Sequence, residues 1–542
     1  MENKRLKLPA GIHTFERIRK EGHVYVDKTK YLVEIIENIN VCFFSRPRRF
    51  GKSLTVSTFE ALFSGKKELF KGLYAEEFLN RPEFKPSPVI SLDMSMINTC
   101  TGMDGLKQSL KQVLIEIAVK SGVEVDKDMV ASDMFRNIIV QTSEKHNQKV
   151  VVLIDEYDAP YTEFVNNPKM AKDVRDELRN LYKQMKANDA YIRFIFLTGI
   201  SKFARLGVFS TLNNTTDISL MPEYANLCGY TEEEIIRYFP DYLDETAKSM
   251  DISTEALVEK MRYYYDGFCF DRNCQTRLYN PYSTLAFFNE KYFADYWIET
   301  GQSKFLADYM QNRHLTVEQF RNFSVFEDFA RSPGDVDTTP PEGFLYQAGY
   351  LTLRERQPGK FLLDYPNTEV LNAMSRLLIK NIVTDTSYNV IHDELTTSVI
   401  SNNVAGFVEV VNRLLAKIPY EDFSAGEILN RKNSLIVLEH ICRSCMLSFL
   451  HGCGLRVMGE MHTNKGRSDL VFSHEVNPTV WVVEIKIASK RQSAKNRALE
   501  ALRQIEEMNY AAPFPDTLCI GLAISEEKRQ ITEFKVLEKL KV

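Results

Sequence analysis

Three consecutive residues, Gly51, Lys52 and Ser53, are of the types that hold the phosphates of a nucleotide. Backbone N–H groups at a helix start attract anionic oxygens, a lysine adds positive charge beside the outer phosphates, and a serine hydroxyl can bind Mg2+. The apolar run 41–44 before them predicts a buried strand, and the apolar spacing over 54–63 after them predicts a helix. This order of strand, loop and helix is typical of a phosphate-binding loop.

The loop departs from the usual pattern at its beginning. Arg46 occupies the place of the first glycine, and Pro47 has no N–H to donate, so we expect fewer backbone donors there. The charges of Arg48 and Arg49 can offset that loss, and together with Phe50 these residues are predicted to contact the nucleotide. Taken alone, the motif is also compatible with an ordinary strand-to-helix turn.

An acidic pair downstream favours the nucleotide-binding interpretation. Five apolar residues, 150–154, predict a strand buried on both faces, and Asp155 and Glu156 follow it directly. Because a parallel sheet places its ligand sites at the carboxyl ends of its strands, we expect Asp155 to reach a Mg2+ ion beside Ser53. Glu156 is expected to orient or deprotonate the attacking water, as in ATPases with such a pair. The alternative is that the acidic residues only cap a helix.

A further predicted strand, 192–197, is followed by polar residues that can lie beside the phosphates. Thr198 and Ser201 are candidates for sensing the outermost phosphate, and Arg205 is a candidate for stabilising its charge. These assignments depend on position alone. A helix cap or a surface contact is the alternative for each residue.

A second set of charged residues lies near the C-terminus. Asp469 enters one predicted strand, and Glu484, Ile485 and Lys486 lie on the next. Period-two alternation places Glu484 and Lys486 on one face of that strand, so the three charged groups can meet at a divalent ion, as a metal-dependent phosphodiesterase needs. A cross-strand ion pair is the alternative. The strongest local basic patch comprises Lys486, Lys490, Arg491, Lys495 and Arg497.

Composition limits the class of protein. The chain has 542 residues, 44% of them hydrophobic and 26% charged, which is typical of a soluble globular protein with about three or four domains. A formal net charge of -5 gives no overall positive field, so nucleic-acid binding would depend on a local patch. The sequence has no secretion-type apolar segment and no membrane-length apolar run. Nine cysteines in this length indicate a reducing compartment, and we expect a cytoplasmic protein.

One group of potential zinc ligands has a simpler interpretation. Cys442, Cys445, His451 and Cys453 lie close in sequence, but the residues between them keep the apolar spacing of a helix. A structural zinc site of this kind normally needs a second cysteine pair. The pattern therefore favours a packed helix over a metal site.

The segment from Tyr25 to Thr29 allows two interpretations. It can fold over the base of a bound nucleotide, or Asp27 or Thr29 can cap the helix predicted to follow. The capping pattern favours the second interpretation.

Together these motifs resemble a family of bacterial AAA-ATPase-like proteins with a C-terminal PD-(D/E)XK nuclease-like domain. The resemblance covers nearly the whole chain and depends on the motifs YVDKT (25–29), RPRRFGKS (46–53), DEYD (155–158), LTGIS (197–201), YNPYS (279–283), GRSD (466–469) and EIK (484–486). It implies that Asp469 and Glu484 are metal ligands and that Lys486 is the catalytic lysine. It also suggests Glu439 as an extra acid and Gln504 as the helix glutamine of that superfamily.

The expected fold class is α/β with three parts. Residues 1–228 are predicted to form a P-loop AAA-like ATPase domain with a parallel sheet, and residues 229–390 a helical and winged-helix-like region. Residues 391–542 are predicted to form an α/β PD-(D/E)XK restriction-endonuclease-like domain. The winged-helix expectation comes from a hairpin pattern around residues 357–359 that follows several helices.

The expected function is an ATP-binding and ATP-hydrolysing protein coupled to a Mg2+-dependent DNA endonuclease. The cofactors would be ATP and Mg2+, and the partner would be nucleic acid, DNA rather than RNA. A homo-oligomer is left open, and no membrane partner is expected. The alternative is an ATP-driven regulatory switch whose nuclease-like domain binds nucleic acid or protein without cutting.

Overall fold

A computed structural model of the chain describes residues 5–164, 167–200, 214–297, 320–327, 329, 341–382, 388–416, 431–458, 462–463 and 466–539. Contacts divide the chain into two compact units. The first comprises Met1–Gly301 with Asn322–Glu369, and the second comprises Gln302–Arg321 with Val370–Val542. The three-part division predicted from the sequence stays a proposal. None of the helices in the described ranges is long and apolar enough to cross a bilayer.

The first unit contains a five-stranded parallel sheet. Its strands are β1 (Val41–Ser45), β2 (Val89–Asp93), β3 (Val150–Asp155), β4 (Ile192–Gly199) and β5 (Thr216–Asp217). They lie in the order β2–β3–β4–β1–β5, and every residue of β3 is buried, as the apolar run predicts. Since the strands are parallel, the loop after β1 and the acidic pair after β3 emerge at the same edge, with the end of β4 between them.

The helices of this region provide the long crossovers that parallel strands require. They are α1 (Phe15–Lys20), α2 (Thr29–Asn38), α3 (Lys52–Phe63), α4 (Ala75–Leu79), α5 (Gly102–Ser121), α6 (Ala131–His146), α7 (Ala159–Thr162) and α8 (Pro168–Ala187). Helix α3 begins at the nucleotide loop and packs on the sheet through Phe59, whose ring lies 4.8 Å from that of Phe196 on β4. This contact fixes the direction in which the helix start faces.

Further helices and a small antiparallel sheet follow in the chain. They are α9 (Glu232–Tyr238), α10 (Pro240–Ser249), α11 (Thr254–Tyr265), α12 (Pro281–Glu290), β6 (Phe323–Phe326), α13 (Pro341–Ala348), β7 (Thr352–Gln357) and β8 (Lys360–Asp364). The spacing of Thr231 and Glu234 in the sequence predicts a capping box, and the structure confirms it at the start of α9. Asn280 caps α12. Strand β8 lies between β6 and β7, so the predicted hairpin is confirmed. Helix α13 followed by the β7–β8 hairpin is the order expected of a winged-helix-like region.

The rest of the described chain forms helices around a mixed sheet. The elements are α14 (Thr368–Ile382), α15 (Tyr388–Ile400), α16 (Val404–Leu415), α17 (Arg431–Gly452), β9 (Arg456–Val457), β10 (His462–Thr463), β11 (Gly466–Arg467), β12 (Leu470–Ser473), β13 (Val480–Ala488), α18 (Ala494–Glu507), β14 (Thr517–Ser525) and β15 (Ile531–Lys539). The main sheet has the order β15–β14–β13–β12–β9. Only its pair β13–β14 is parallel, and β10 pairs with β11 apart from it.

The cysteine and histidine group of α17 is part of the core. Cys442, Cys445 and Cys453 are buried in an apolar cluster, and burial lowers the pKa of the nearby His451 imidazole to about 3. Within the described part of the chain, no three His, Cys, Asp or Glu side chains are grouped so that they could hold a metal. The burial of these side chains among apolar neighbours is what a packed helix requires.

A buried carboxyl group stands in the first turn of α14. Glu369 is fully buried, and its Oε1 accepts hydrogen bonds from the Ser283 hydroxyl at 3.0 Å and from the Trp297 backbone N–H at 2.8 Å. Burial is the main reason that the pKa of Glu369 is raised from 4.5 to about 8. The hydrogen bonds from Trp297 and Ser283 lower this pKa, and the nearby Asp295 raises it. The side chain is therefore largely protonated in the folded protein at neutral pH.

This shift predicts a pH dependence of stability. Between pH 4.5 and about pH 8 the folded protein binds more protons at Glu369 than the unfolded chain does, so its free energy of unfolding falls as the pH rises. One such group contributes at most about 1.4 kcal/mol per pH unit. Glu369→Gln keeps an acceptor oxygen but cannot ionise, so we expect a shallower decline in unfolding experiments at a series of pH values. The exposed Glu355→Gln is the control, and identical slopes for all three proteins would contradict the assignment.

Candidate nucleotide and nuclease sites

The loop between β1 and α3 holds a lysine in a buried position. Gly51 has a φ of 97°, a conformation that favours glycine, and Lys52 begins α3. The Lys52 side chain is only 4% exposed, and its Nζ donates a hydrogen bond to the Pro47 carbonyl oxygen at 3.2 Å. Among the described residues it forms no ion pair with a carboxylate. A buried ammonium group of this kind fits an anionic phosphate.

The hydroxyl and the carboxylate predicted to share a Mg2+ ion are in contact. Ser53 donates a hydrogen bond to Asp155, which ends β3 and lies beside Asp93 at the end of β2. Burial raises the pKa of Asp155, whereas the Ser53 hydroxyl and the positive charge of Lys52 lower it. Glu156 follows with a φ of 47° and is half-buried. The pair thus faces the loop, as expected for a P-loop sheet.

A cavity of about 420 Å3 adjoins the loop and Glu156. This volume suits a nucleotide-sized ligand. Its wall comprises residues 48–55, Thr58 and Glu156, with others drawn from 9–13, Ile18, 24–28, Leu32, 227–230 and 281–285. Lys52, Ser53 and Glu156 therefore line one cavity.

Segment 25–29 lies at the start of α2 and beside the cavity. Asp27 Oδ1 accepts hydrogen bonds from the Thr29 N–H at 2.9 Å and the Thr29 hydroxyl at 2.6 Å, which fixes the start of α2. Tyr25, Val26 and Lys28 also line the cavity, and Lys28 Nζ lies 2.6 Å from Glu234 Oε1. The segment therefore holds the first residue of α2 through Asp27, although the N-cap position itself is Lys28, whose side chain makes no cap hydrogen bond. A fold over the nucleotide base stays a prediction.

Arg46 has a role that the sequence does not reveal. Its side chain is 1% exposed, and its guanidinium donates to the carbonyl oxygens of Ser219 at 2.7 Å and Ser45 at 2.9 Å. The group also lies 4.4 Å from the ring centre of Phe44 and 4.5 Å from that of Phe270, and burial lowers its pKa to about 10. Arg46 therefore anchors the start of the loop in the core instead of facing a phosphate. No short motif marks such a contact.

The three residues after Pro47 all line the cavity. Arg48 is half-buried, and Arg49 is exposed with its guanidinium 4.3 Å from the ring centre of Tyr282. Phe50 is buried and meets the ring of Phe268 edge-on at 4.9 Å. The two arginines are thus placed at the cavity, whereas Phe50 fixes the loop to the surrounding core.

Thr198 lies at the centre of the sheet edge. It pairs with Phe44 across β4 and β1, and its buried Oγ1 has no hydrogen-bond partner within the described part of the chain. A buried hydroxyl of this kind has capacity for a polar ligand group. Ser201 and Arg205, the other two candidates from this region, lie outside the described residues.

In the second unit, three charged groups meet where the start of β12 lies beside the middle of β13. Asp469 stands directly before β12, and Glu484 and Lys486 lie on the adjacent β13. Asp469 Oδ2 accepts the Ile485 N–H at 2.8 Å, and the Asp469 N–H points to Glu484 Oε2 at 3.4 Å. Lys486 Nζ lies 3.2 Å from Glu484 Oε1. The structure thus brings together the residues that the sequence selects.

Two residues of α17 face the same charges. Arg443, which sequence reasoning missed, places its guanidinium 3.4 Å from Asp469 Oδ1. Burial raises the pKa of Glu439. Lys486 lowers this pKa and Asp469 raises it, so the Glu439 carboxyl interacts electrostatically with both groups. Glu484 is 2% exposed, and burial and then Asp469 raise its pKa while Lys486 opposes them. The spacing of Arg443 from Glu439, one helical turn, is the signal that could have suggested it.

Asp469 and Glu484 together form a suitable site for a divalent ion. Mg2+ is usually held by one or two carboxylates, with waters and phosphate oxygens completing the set. The two buried carboxylates lie side by side, and burial destabilises their simultaneous ionisation unless positive charge is near. The donor set therefore fits Mg2+.

The basic patch is smaller than the sequence suggests. Lys490, Arg491 and Lys495 are exposed, so they can meet phosphates. Arg497 instead donates to the Ile487 carbonyl oxygen at 3.0 Å and lies 2.6 Å from Glu500. Gln504 of α18 is hydrogen-bonded to Tyr510. The pKa of Tyr510 is affected by the charges of Glu484, Asp469 and Lys486. Gln504 is thus linked to the site through a neighbour.

Two parts of the chain match models of known protein families. Residues 9–209 match the family described as predicted AAA-ATPase, and residues 437–534 match the PD-(D/E)XK nuclease superfamily. An uncharacterized protein in the vnfD 5′ region of Azotobacter chroococcum mcd 1 is 30% identical over 545 residues, covering 98% of this chain and 99% of that protein. The match therefore extends across both units.

Two solved structures are similar over part of the chain. The Aeropyrum pernix ORC2 protein is 12% identical and covers 70% of this chain and 98% of its own, with a TM-score of 0.28. CDC6P from Pyrobaculum aerophilum is 12% identical and covers 66% of this chain and 93% of its own, with a TM-score of 0.24. Scores this low do not establish a common fold. By its long match to the Azotobacter protein and its two domain matches, this chain belongs to the family of AAA-ATPase-like proteins with a C-terminal PD-(D/E)XK nuclease superfamily domain.

Proposed function

We propose that this protein binds and hydrolyses ATP and that its C-terminal domain is a Mg2+-dependent endonuclease, coupled to the ATPase, that acts on DNA in preference to RNA. The observation that carries the proposal is the contact of the buried Asp469 and Glu484 with the half-buried Lys486, where the start of β12 lies beside the middle of β13. Carboxylates cost free energy when buried, so a close pair of them beside a lysine favours a charge-binding role over a purely structural one.

In the ATPase domain, each residue has a role that its position allows. Lys52 would hold the outer phosphates, and Ser53 and Asp155 would hold Mg2+, which offsets phosphate charge when bound. Glu156 at the cavity wall would orient the attacking water, and Thr198 would contact the outermost phosphate through its hydroxyl. Arg48, Arg49, Phe50 and Gly51 would complete the nucleotide contacts.

In the nuclease domain, Asp469 and Glu484 would hold the ion. Bound Mg2+ neutralises charge on the scissile phosphate and makes a water more acidic. Lys486 would neutralise the negative charge that develops at the phosphate, and Glu439, whose pKa responds to Lys486 and Asp469, would be an extra acid of the site. The exposed Lys490, Arg491 and Lys495 would hold the DNA backbone.

One observation favours the non-cutting alternative. Each carboxylate of the site already has a cationic partner, Arg443 for Asp469 and Lys486 for Glu484. If these ion pairs persist, the domain would bind nucleic acid or protein under control of the ATPase without cutting. Cleavage assays with Mg2+ or Mn2+, with and without ATP, separate the two functions.

The setting forms part of the same proposal. None of the nine cysteines, all within the described residues, forms a disulfide bond, which is consistent with a reducing compartment, so we place the protein in the cytoplasm. The working division is an ATPase domain at 1–228, a helical and winged-helix-like region at 229–390 and a nuclease domain at 391–542. A homo-oligomer is compatible with this proposal.

Nucleotide binding should depend on Lys52, because it is the buried positive charge at the start of α3 and lines the cavity. Lys52→Ala should abolish ATP binding in calorimetry while leaving the thermal unfolding of the protein nearly unchanged. The control is Lys30→Ala, an exposed lysine paired with Glu34 away from the cavity, which should bind ATP like the parent. Unchanged affinity in Lys52→Ala would refute the phosphate-binding role.

The acidic pair should separate nucleotide binding from turnover. Asp155→Ala should remove Mg2+-dependent ATP hydrolysis, because the ion loses its carboxylate. Glu156→Gln should still bind ATP but hydrolyse it at least about tenfold more slowly, as expected when a water-orienting base is lost. Phosphate-release kinetics with parallel calorimetry test both points. A Glu156→Gln protein that hydrolyses ATP at the parental rate would leave Glu156 only a structural role.

The nuclease site should fail as one unit. Asp469→Ala, Glu484→Ala and Lys486→Ala should each abolish DNA cleavage, and their effects should not add, because one metal site is lost in every case. Gel assays of plasmid and linear DNA with Mg2+ or Mn2+ measure this.

Variants of the exposed patch are the matched comparison. Lys490→Ala or Lys495→Ala should weaken DNA binding and reduce the slope of log affinity against log salt by about one unit per lost phosphate contact, while cleavage at saturating DNA persists. Cleavage that survives Asp469→Ala would exclude the proposed site. A parent protein that never cuts DNA or RNA would favour the regulatory alternative.

A further inference from the structure

A tryptophan outside the nucleotide cavity contacts the loop from behind. Trp297 is 3% exposed, and its indole Nε1–H donates to the carbonyl oxygen of Arg48 at 3.4 Å. At Gly349 (φ 90°) an added Cβ would lie 2.8 Å from Pro47 Cβ and 3.2 Å from the Trp297 ring. The first half of the loop is therefore packed tightly against residues that follow the ATPase sheet in the chain.

The position of this tryptophan is set by the buried carboxyl of Glu369. Glu369 Oε1 accepts the Trp297 backbone N–H at 2.8 Å, and the same oxygen accepts the Ser283 hydroxyl at 3.0 Å. Ser283 lies in the first turn of α12, directly after Pro281 and Tyr282, which line the cavity. One carboxyl oxygen of Glu369 thus connects Trp297, which contacts the loop, to α12, which forms another wall of the cavity.

A direct contact joins the same two walls. The guanidinium of Arg49 lies 4.3 Å from the ring centre of Tyr282, and both residues line the cavity. This contact is exposed on the arginine side, whereas the connection through Trp297 and Glu369 is buried. Buried hydrogen bonds hold their geometry more strictly than exposed contacts, so the buried connection controls the spacing of the two walls.

We propose that Trp297 and Glu369 are positioning residues that hold the nucleotide loop at a fixed distance from the start of α12, and that the Trp297 indole responds when nucleotide fills the loop. The inference rests on the proposed ATP-binding function and adds the residues that preorganise the site. A loop that begins with Arg46 and Pro47 has fewer backbone donors than the usual pattern, so it depends more on support from outside. Preorganisation of this kind raises affinity because less order is lost on binding.

Calorimetry of Mg-ATP binding to the full chain tests the positioning role. Trp297→Phe keeps an aromatic ring but loses the indole N–H, and it should weaken binding about fivefold, as expected for one lost hydrogen bond. Glu369→Ala should weaken binding about tenfold or more because two hydrogen bonds are lost, whereas Glu369→Gln keeps the acceptor oxygen and should bind within about twofold of the parent. Rescue by glutamine separates positioning from a general loss of packing.

The matched control is the other tryptophan of the sequence. Trp481 is buried, and its indole donates to Asn402 Oδ1 at 3.2 Å, so Trp481→Phe removes the same kind of bond in the nuclease domain. The ATP affinity of Trp481→Phe should equal that of the parent.

In the Trp481→Phe variant Trp297 is the single indole, so its fluorescence can be followed alone. The fluorescence should change on titration with Mg-ATP, with a midpoint at the dissociation constant that calorimetry gives. The change should vanish when Lys52→Ala is added.

Each outcome decides a separate point. If the parent does not bind ATP at all, the proposed function fails and the inference fails with it. If the parent binds ATP through Lys52 but Trp297→Phe binds equally well, the positioning role is overturned while the proposed function stands. If affinity falls in Trp297→Phe but emission stays constant at saturating Mg-ATP, the response of the indole is overturned. Should Glu369→Ala fail to fold, Trp297→Phe and the fluorescence titration still decide.

Discussion

Both candidate sites depend on charged groups that are buried in apolar strands or directly after them. A charge removed from water destabilises the folded state unless hydrogen bonds or opposite charges surround it. Arg46 meets this condition with backbone carbonyl oxygens and two aromatic rings, Asp155 with the Ser53 hydroxyl, and Glu484 with Lys486. Each of these charged side chains is therefore held in place by polar contacts, and these contacts are strong because the surrounding core is apolar.

The two sites satisfy this condition in different ways. At the nucleotide loop, Lys52 has a backbone carbonyl as its hydrogen-bond partner and faces a cavity, so an anionic ligand can supply the charge that its environment lacks. At the nuclease site the positive charges of Lys486 and Arg443 already contact the carboxylates. An ion that binds there would have to compete with those cations for the carboxylate oxygens.

The nucleotide loop also depends on residues distant in the chain. Arg46 reaches the backbone at Ser219, Phe50 packs on Phe268, and the Arg48 carbonyl accepts a bond from Trp297. These contacts make the helical and antiparallel region a structural support of the ATPase sheet, and both belong to one compact unit. A change at the loop would therefore be felt in the region that precedes the nuclease domain in the chain.

The sequence by itself determined the elements and the chemistry of their ends. The apolar runs before Lys52 and Asp155, the capping box at Thr231 and the alternation around Glu484 all depend on near neighbours, and the structure confirms the strands and helices they predict. Their roles as ligands or catalytic groups stay predictions. Only the tertiary structure decided that Arg46 is buried, that Arg443 faces Asp469, and that Glu369 joins Trp297 to Ser283. These contacts link residues between 26 and 173 positions apart, and no local pattern encodes a pairing over such distances, because it arises from how the strands and helices pack.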